Sequence, residues 1–509
     1  MNVIYIVDFG SQYTQLIARR IRETGVYSEV VPASTSVTKL LNASGIIFSG
    51  SPDSVSQESR IDNRILVGKV PVLGICFGFH MLSHHFGGKV GRHDQGGEFG
   101  PALVTHNQQS QLFKDIPPSF TAWMSHHDTV HGMGEKIHQI ATSVNGLAAA
   151  LEVPEHRIYA AQFHPEVSHT QGGEQLLRNF VLDICGCQPN WSIADIIQAK
   201  QQQLATELGQ DHVLLGLSGG VDSSVVAALL DSVIGKHLHA VFIDTGLLRH
   251  NEVQQVQQAF SDHFNLELEV IDASKEFFAA LRGVTDPEEK RKTVGRLFIQ
   301  KFEQAALAHS NCTWLAQGTI YPDVIESADP NLSTQSKVIK SHHNVGALPK
   351  EMKLKLVEPL RDLFKDEVRR VGEALGLPKA LVWRHPFPGP GLAVRVLGEV
   401  KQEYVATLRQ ADAIYLEMLA EAGMMQQTSQ AFAVFLPVKT VGVKGDDRVY
   451  EHALVLRAIQ TDDFMTATAA PLDHQLLHAI ATRIINRVPG ITRVCYDITS
   501  KPPATIEWE

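Results

Sequence analysis

Cysteine and aromatic residues are both scarce here: five cysteines and 7% Phe, Trp and Tyr among 509 residues. The five cysteines are scattered and odd in number, which argues against a disulfide framework. Cys185 and Cys187 stand close together, as a helix end or loop rather than a metal site. No uninterrupted apolar run reaches the roughly 20 residues that a bilayer-spanning helix needs, so no membrane partner is expected. Basic residues are outnumbered, 45 against 55, for a net charge of -10. No basic tract stands out, which speaks against a nucleic-acid partner. The opening Met1 to Gln12 has neither a basic leader nor a signal-type apolar stretch and reads as a first strand. These features point to a cytoplasmic protein. A chain of 509 residues with 44% hydrophobic and 20% charged residues is a globular protein too long for one core.

What is present is a repeated alternation. Strand-like Val3 to Val7, Gly45 to Phe48 and Val70 to Ile75 are interleaved with helix-like Tyr13 to Glu23 and Phe77 to Phe86, the pattern of a parallel sheet covered by helices. The polar break Gln188-Pro-Asn190 closes this section. After a helical stretch, Ile193 to Leu208, the pattern restarts with the strand Val213 to Leu217, the helix Ser223 to Leu230 and the strand Leu238 to Ile243. The rigid segment His385-Pro-Phe-Pro-Gly-Pro-Gly391 then introduces helices and strand-like runs such as Phe432 to Leu436 and Arg493 to Ile498. Three domains follow: two α/β domains, 1–188 and 189–384, and a smaller α+β domain, 385–509.

Chemistry is concentrated at two places. Gly74-Ile-Cys-Phe-Gly78 sets Cys76 between a strand and a helix, the geometry of a nucleophile elbow, where a tight turn exposes the sulfur and the helix N-terminus lowers the thiol pKa. The turn alone leaves a buried packing cysteine as an alternative. Phe163-His-Pro-Glu-Val167, at the end of the strand-like run Arg157 to Phe163, supplies the missing partners. His164 can take the thiol proton while Glu166 orients the imidazole.

On these motifs, residues 1 to about 188 resemble a class I glutamine amidotransferase domain. The resemblance implies a thioester between Cys76 and the glutamine side chain, release of ammonia, and an oxyanion hole from the backbone N–H groups of Gly50 and Phe77. The family usually reads Cys-Tyr-Gly-Met-Gln where this chain reads Cys76-Phe-Gly-Phe-His80, and Gly where His127 stands. Because that Gln helps hold the substrate, His80 is expected to weaken glutamine binding.

The second place is Leu217-Ser-Gly-Gly-Val-Asp-Ser-Ser224, between a strand and a helix. The loop Ser218, Gly219, Gly220, Val221, Asp222, Ser223 and Ser224 offers backbone N–H groups, hydroxyls and a helix dipole to an anion. It lacks the Lys of a Walker A motif, so γ-phosphoryl transfer is not its natural chemistry. It resembles the loop of N-type ATP pyrophosphatases, which implies ATP as co-substrate, release of AMP and pyrophosphate, and Mg2+ with Asp222 as a ligand. Asp244, in Val241 to Arg249, reads either as a residue near the adenosine or as a turn carboxylate.

Four further strings choose among NAD, asparagine and GMP synthesis: Gly318 to Ser327, Ile339 to Val345, Arg384 to Leu392, and Lys501 to Glu509. With both sites they resemble the GMP synthetase family over essentially the full chain. The resemblance implies glutamine, ATP and XMP as substrates, a homodimer built through the third domain, and XMP-binding positions at Arg291, Lys501 and Glu507. A phosphate and an anionic purine call for such cations. Pro502, Pro503, Ile506 and Trp508 favour a docked rather than a mobile C-terminal tail. An NAD synthetase lacks the terminal string, and a non-catalytic relative would have no use for an intact Cys76, His164 and Glu166.

Overall fold

Short aliphatic runs, too brief for buried helices, become the inner parallel strands of two sheets. The computed structural model describes residues 2–55, 62–92, 97–264, 266–328, 354–461, 464 and 466–509, and the chain forms two units, Met1–Ile196 and Ile197–Glu509. The string from Ile339 to Val345 lies outside the described residues.

The first unit holds a nine-stranded sheet. Five parallel strands come first, in the spatial order Tyr27–Pro32, Val3–Asp8, Gly45–Phe48, Val72–Ile75 and Ile158–Ala161. Four antiparallel strands, Ala148–Val153, His138–Ser143, Glu98–His106 and Ser119–His126, continue it. The expectation of a parallel sheet therefore covers only part of it. Gly45–Phe48 and Val72–Ile75 are buried at every residue, as their unbroken apolar sequence requires. The expected strand Arg157 to Phe163 shortens to Ile158–Ala161, because Arg157 turns into the left-handed region at φ 54°.

The second unit contains a five-stranded parallel sheet, ordered Leu268–Asp272, Leu238–Asp244, His212–Leu217, Cys312–Ala316 and Lys355–Val357. The chain runs from His212–Leu217 outward through Leu238–Asp244 to Leu268–Asp272, then crosses to Cys312–Ala316 on the other side. The strand order thus reverses at His212–Leu217, where such sheets bind ligands beyond the carboxyl ends of their strands. A separate sheet pairs Gln430–Lys444 with Asp447–Gln460 antiparallel, and adds Ile491–Tyr496 in parallel. The expected strand Arg493 to Ile498 stops at Tyr496, because Asp497 Oδ1 accepts the Thr499 N–H at 2.9 Å and turns the chain. Segments 189–384 and 385–509 carry separate sheets but share one hydrophobic core, which includes Leu214, Val241, Phe302, Leu392, Tyr415, Phe435 and Ile480.

Candidate active sites

Cys76 sits between the strand Val72–Ile75 and the helix Phe77–His85, at φ 54° and ψ −100°. A non-glycine residue there carries backbone strain of about 1–3 kcal/mol, which only surrounding contacts can hold. The flanking glycines permit those contacts. A Cβ at Gly78 would lie 2.5 Å from the Phe48 carbonyl oxygen, and one at Gly74 would lie 2.5 Å from the Gly78 carbonyl. The helix thus packs backbone against backbone on the strand Gly45–Phe48, and Gly78 N–H donates to Ser49 O at 3.1 Å. Phe77 opens the helix, so its N–H precedes any intrahelical acceptor. Gly50 faces the same point: a Cβ built on it would sit 3.8 Å from Cys76 Cβ. Ser49 Oγ donates to Gly50 O at 3.0 Å and fixes that peptide.

His164 and Glu166 follow the strand Ile158–Ala161 and are buried, at 3% and 0% exposure. His164 Nδ1 lies 2.7 Å from Glu166 Oε1, the imidazole also engages the Cys76 thiol, and the Tyr13 ring packs on it at 4.9 Å. Burial alone would lower the His164 pKa. The Glu166 charge and the hydrogen bonds to Cys76 and Glu166 outweigh it, and the imidazole is pushed up to about 10. A raised pKa of this kind favours a proton on the imidazole at neutral pH. Arg20 Nε donates to the Glu166 carbonyl at 3.0 Å, and Thr170 Oγ1 donates to the His164 carbonyl at 2.7 Å.

Other groups around this site were not legible in the sequence. Cys76 Sγ is 3.7 Å from Ser125 O. The next residue, His126, is held by Glu98 at 3.3 Å, and Glu98 also accepts from Ser143 and Asn145 at 2.7 Å each. His80, expected to meet the substrate, is only 4% exposed and lies with Nε2 2.6 Å from Gln162 Oε1. His127 is exposed and stacks edge-on against Phe99.

In the second unit the loop Ser218–Ser224 leaves the strand His212–Leu217 and opens the helix Val221–Ile234. Ser218 Oγ accepts the Gly220 N–H at 3.2 Å and lies 3.1 Å from Ser223 Oγ, while Ser224 Oγ donates to Gly220 O at 2.9 Å. Gly219 takes φ +71°, and a Cβ there would meet Glu252 Oε1 at 3.1 Å and Arg384 Nη2 at 3.4 Å. These two side chains, paired at 3.0 Å, edge the loop. Glu252 carried no sequence signal, and Arg384 stood out only as the start of the string Arg384 to Leu392; the fold brings both beside Gly219. Asp222 receives both its bonds from Lys365 Nζ, each at 2.7 Å. Asp244 Oδ1 accepts the Gly246 N–H at 2.8 Å, the turn role of its two readings.

The C-terminal tail is docked. Arg395, wholly buried, forms a two-pronged pair with Glu507 at 2.9 and 3.1 Å, and Gln430 adds a third bond at 2.8 Å. Arg457 donates to the carbonyls of Thr499, Thr505 and Ile506. Buried Lys290 donates to Val396 O at 2.7 Å and to the Glu509 carboxylate; burial pulls its pKa down against the Glu509 charge. Arg291 reaches the Glu509 main-chain oxygen. Lys501 Nζ donates to Phe464 O at 2.8 Å, so it stands apart from Arg291 and Glu507, which both engage the tail's final residues or their partners.

A buried Cys-His-Glu set on one α/β unit, with an anion loop on another, defines a two-site enzyme of amidotransferase type. The family model for class-I glutamine amidotransferase matches residues 5–184, that for NAD synthase residues 193–298, and that for the GMP synthase C-terminal domain residues 417–508. A GMP synthase [glutamine-hydrolyzing] of Francisella tularensis subsp. novicida (strain U112) is 52% identical over 511 residues, covering 99% of this chain and 98% of the relative. One from Shewanella sp. (strain ANA-3) is 52% identical over 518 residues, with the same coverage. Among solved structures, a Thermoplasma acidophilum protein described as a GMP synthase subunit is 33% identical, covers 36% of this chain and 94% of its own, and superposes with a TM-score of 0.33. The chain belongs to the glutamine-hydrolysing GMP synthase family.

Proposed function

We propose that the protein makes GMP by hydrolysing glutamine at Cys76, adenylating XMP with ATP at the Ser218–Ser224 loop, and passing the ammonia to the activated purine. The observation that carries this reading is the buried Cys76–His164–Glu166 set on a strained elbow, joined in one chain to a pyrophosphate-type loop. Cys76 attacks the side-chain carbonyl of glutamine, and His164 hands its proton to the leaving ammonia. Gly50 and Phe77 N–H groups receive the oxyanion. Glu166 keeps the imidazole in place and stabilises its charge.

At the loop, the N–H and hydroxyl groups of Ser218 to Ser224 grip the departing pyrophosphate. Asp222 fits a Mg2+ role, since Mg2+ commonly takes one or two carboxylates together with substrate phosphates. When bound, the ion would neutralise phosphate charge, and Asp222 would exchange its Lys365 contact for it. Arg291, Lys501 and Glu507 complete the XMP site in this reading, with the docked tail as its wall. The exposed Val441, Val443 and Tyr450 on the hairpin Gln430–Gln460 suit a contact with a second copy, which supports a homodimer. Its free thiols suit the reducing cytoplasm.

The test is Cys76→Ala in the full chain. Glutamine-driven GMP formation should vanish, while synthesis from ammonium salts should persist, strengthen with rising pH, and yield AMP and pyrophosphate. Stoichiometric ADP, or loss of both activities in a folded variant, would overturn the reading.

A further inference from the structure

Beneath the Cys76–His164 contact lies a second pair, His80 and Gln162, sealed from solvent at 4% and 1% exposure and joined at 2.6 Å. The two pairs are in register. Cys76 and His80 stand four residues apart, and the His80 N–H donates to Cys76 O at 3.2 Å, which ties the elbow to the first turn of the helix. Gln162 and His164 stand two apart in the bend that follows the strand Ile158–Ala161. Their N–H groups donate to Ala149 O at 2.8 Å and Trp123 O at 3.0 Å, which fixes both residues against neighbouring strands. Helix and chain segment are thus bridged twice: once by the reacting groups and once, deeper, by His80 and Gln162.

Burial, with His126 nearby, pushes the His80 imidazole down to about 4, so it is neutral and donates through Nε2 to the Gln162 amide oxygen. A buried bond between neutral groups holds its geometry without adding charge beside the nucleophile. On its other side the helix is fixed by Gly78 against Phe48. The His80 bond adds a polar tie from this helix to Gln162.

We propose that His80 and Gln162 are positioning residues for glutamine hydrolysis, their bond setting the helix-to-strand separation at which Cys76 meets His164. The proposal rests on Cys76 and His164 being the reacting pair. Because the polar ends of the two side chains engage each other, the effect is expected on turnover rather than on substrate affinity. A misplacement of about 1 Å at a reacting pair can cost on the order of a hundredfold.

The experiment uses the full chain with His80→Asn, His80→Gln and Gln162→Met. Asn is too short to reach Gln162, whereas Gln puts an N–H where Nε2 stood. Gln162→Met keeps the volume and removes the acceptor, so it carries the test if His80→Asn fails to fold. Expected are a fall of about 10–100-fold in glutamine-driven kcat for His80→Asn and Gln162→Met, with glutamine KM within about twofold. Recovery in His80→Gln, unchanged ammonium-driven synthesis, and a shifted pH profile for iodoacetamide alkylation of Cys76 should accompany it. A rise in KM at constant kcat, an alkylation profile that does not move, or no recovery with Gln would each overturn the proposal. Glutamine-driven synthesis surviving in Cys76→Ala would instead overturn the triad reading beneath it.

Discussion

Replacing Glu166 with Gln tests the electrostatics of the first site with almost no change in shape. Glu166 is wholly buried, bonds His164 through Oε1 at 2.7 Å, and leaves Oε2 without a partner among the described residues. Its charge is the chief influence raising the His164 pKa to about 10, against burial that lowers it. Without the charge, the largest influence opposing burial is gone and the imidazole pKa falls from about 10. Loss of the whole raise from 6.5 to about 10, at about 1.4 kcal/mol per unit, sets a ceiling of roughly 5 kcal/mol, or about three-thousandfold in rate. The Gln carbonyl can still accept the Nδ1–H, so a fall of about a hundredfold in glutamine-driven kcat is expected. The sign also fixes the stability profile. A raised His pKa contributes stability that is full below about 6.5 and is lost as pH rises through about 10. The melting-temperature gap between wild type and Glu166→Gln should therefore shrink as pH climbs across that window. Glutamine-driven and ammonium-driven GMP synthesis, measured side by side, isolate the effect, because only the first uses His164. Activity within threefold of wild type, with a constant melting-temperature gap from pH 6 to 10, would refute this account of the site.

Gly78→Ala places a Cβ 2.5 Å from a main-chain oxygen that cannot swing away, so it should cost about 1–3 kcal/mol of stability and depress glutamine-driven turnover; calorimetry showing no change would argue against the tight packing. Asp222→Asn should raise the Mg2+ concentration for half-maximal ammonium-driven synthesis about tenfold or more, while Cys76 alkylation stays unchanged; an unaltered Mg2+ requirement removes Asp222 from that role. Deleting Lys501 to Glu509 strips the partners from buried Arg395, Arg457 and Lys290, so XMP-dependent ATP consumption should disappear and the second unit should melt earlier. Normal XMP affinity in that truncation would show the tail to be structural only.

The local chemistry was legible where residues lie close in sequence. The elbow around Cys76, the pair His164 and Glu166 two positions apart, and the turn Ser218 to Ser224 each announce themselves within a few residues. The main strands and helices did likewise, since Gly45–Phe48 and Ile193–Leu208 fall where the apolar pattern put them. What stayed hidden depends on partners far along the chain. Gln162 meets His80 across 82 positions, and Lys365 meets Asp222 across 143. A single sequence has no period that links such residues, and an unbroken apolar or polar texture gives no sign of which face they share. His80 shows the difference most plainly. Its place in the motif suggested a substrate contact, and only the three-dimensional neighbourhood reveals that its ring is turned inward against Gln162.

The same piece of secondary structure, a strand, a glycine-bearing turn and a helix N-terminus, serves two opposite electrostatic tasks in this chain. At Cys76 the charge to be stabilised develops only during reaction, so the supporting charges are enclosed: His164 and Glu166 are both nearly free of solvent contact. Enclosure strengthens their attraction and protects it from salt. On the proposed function, the charge at Ser218 to Ser224 arrives already formed on a nucleotide, and the resident ion pair would yield to it. Asp222 and Lys365 keep 28% and 42% of their side chains exposed. Solvent weakens a pair of that kind to within about 1 kcal/mol, so an incoming phosphate or cation can part it. The buried pair acts as fixed machinery and the open pair as a placeholder. The contrast follows from burial alone.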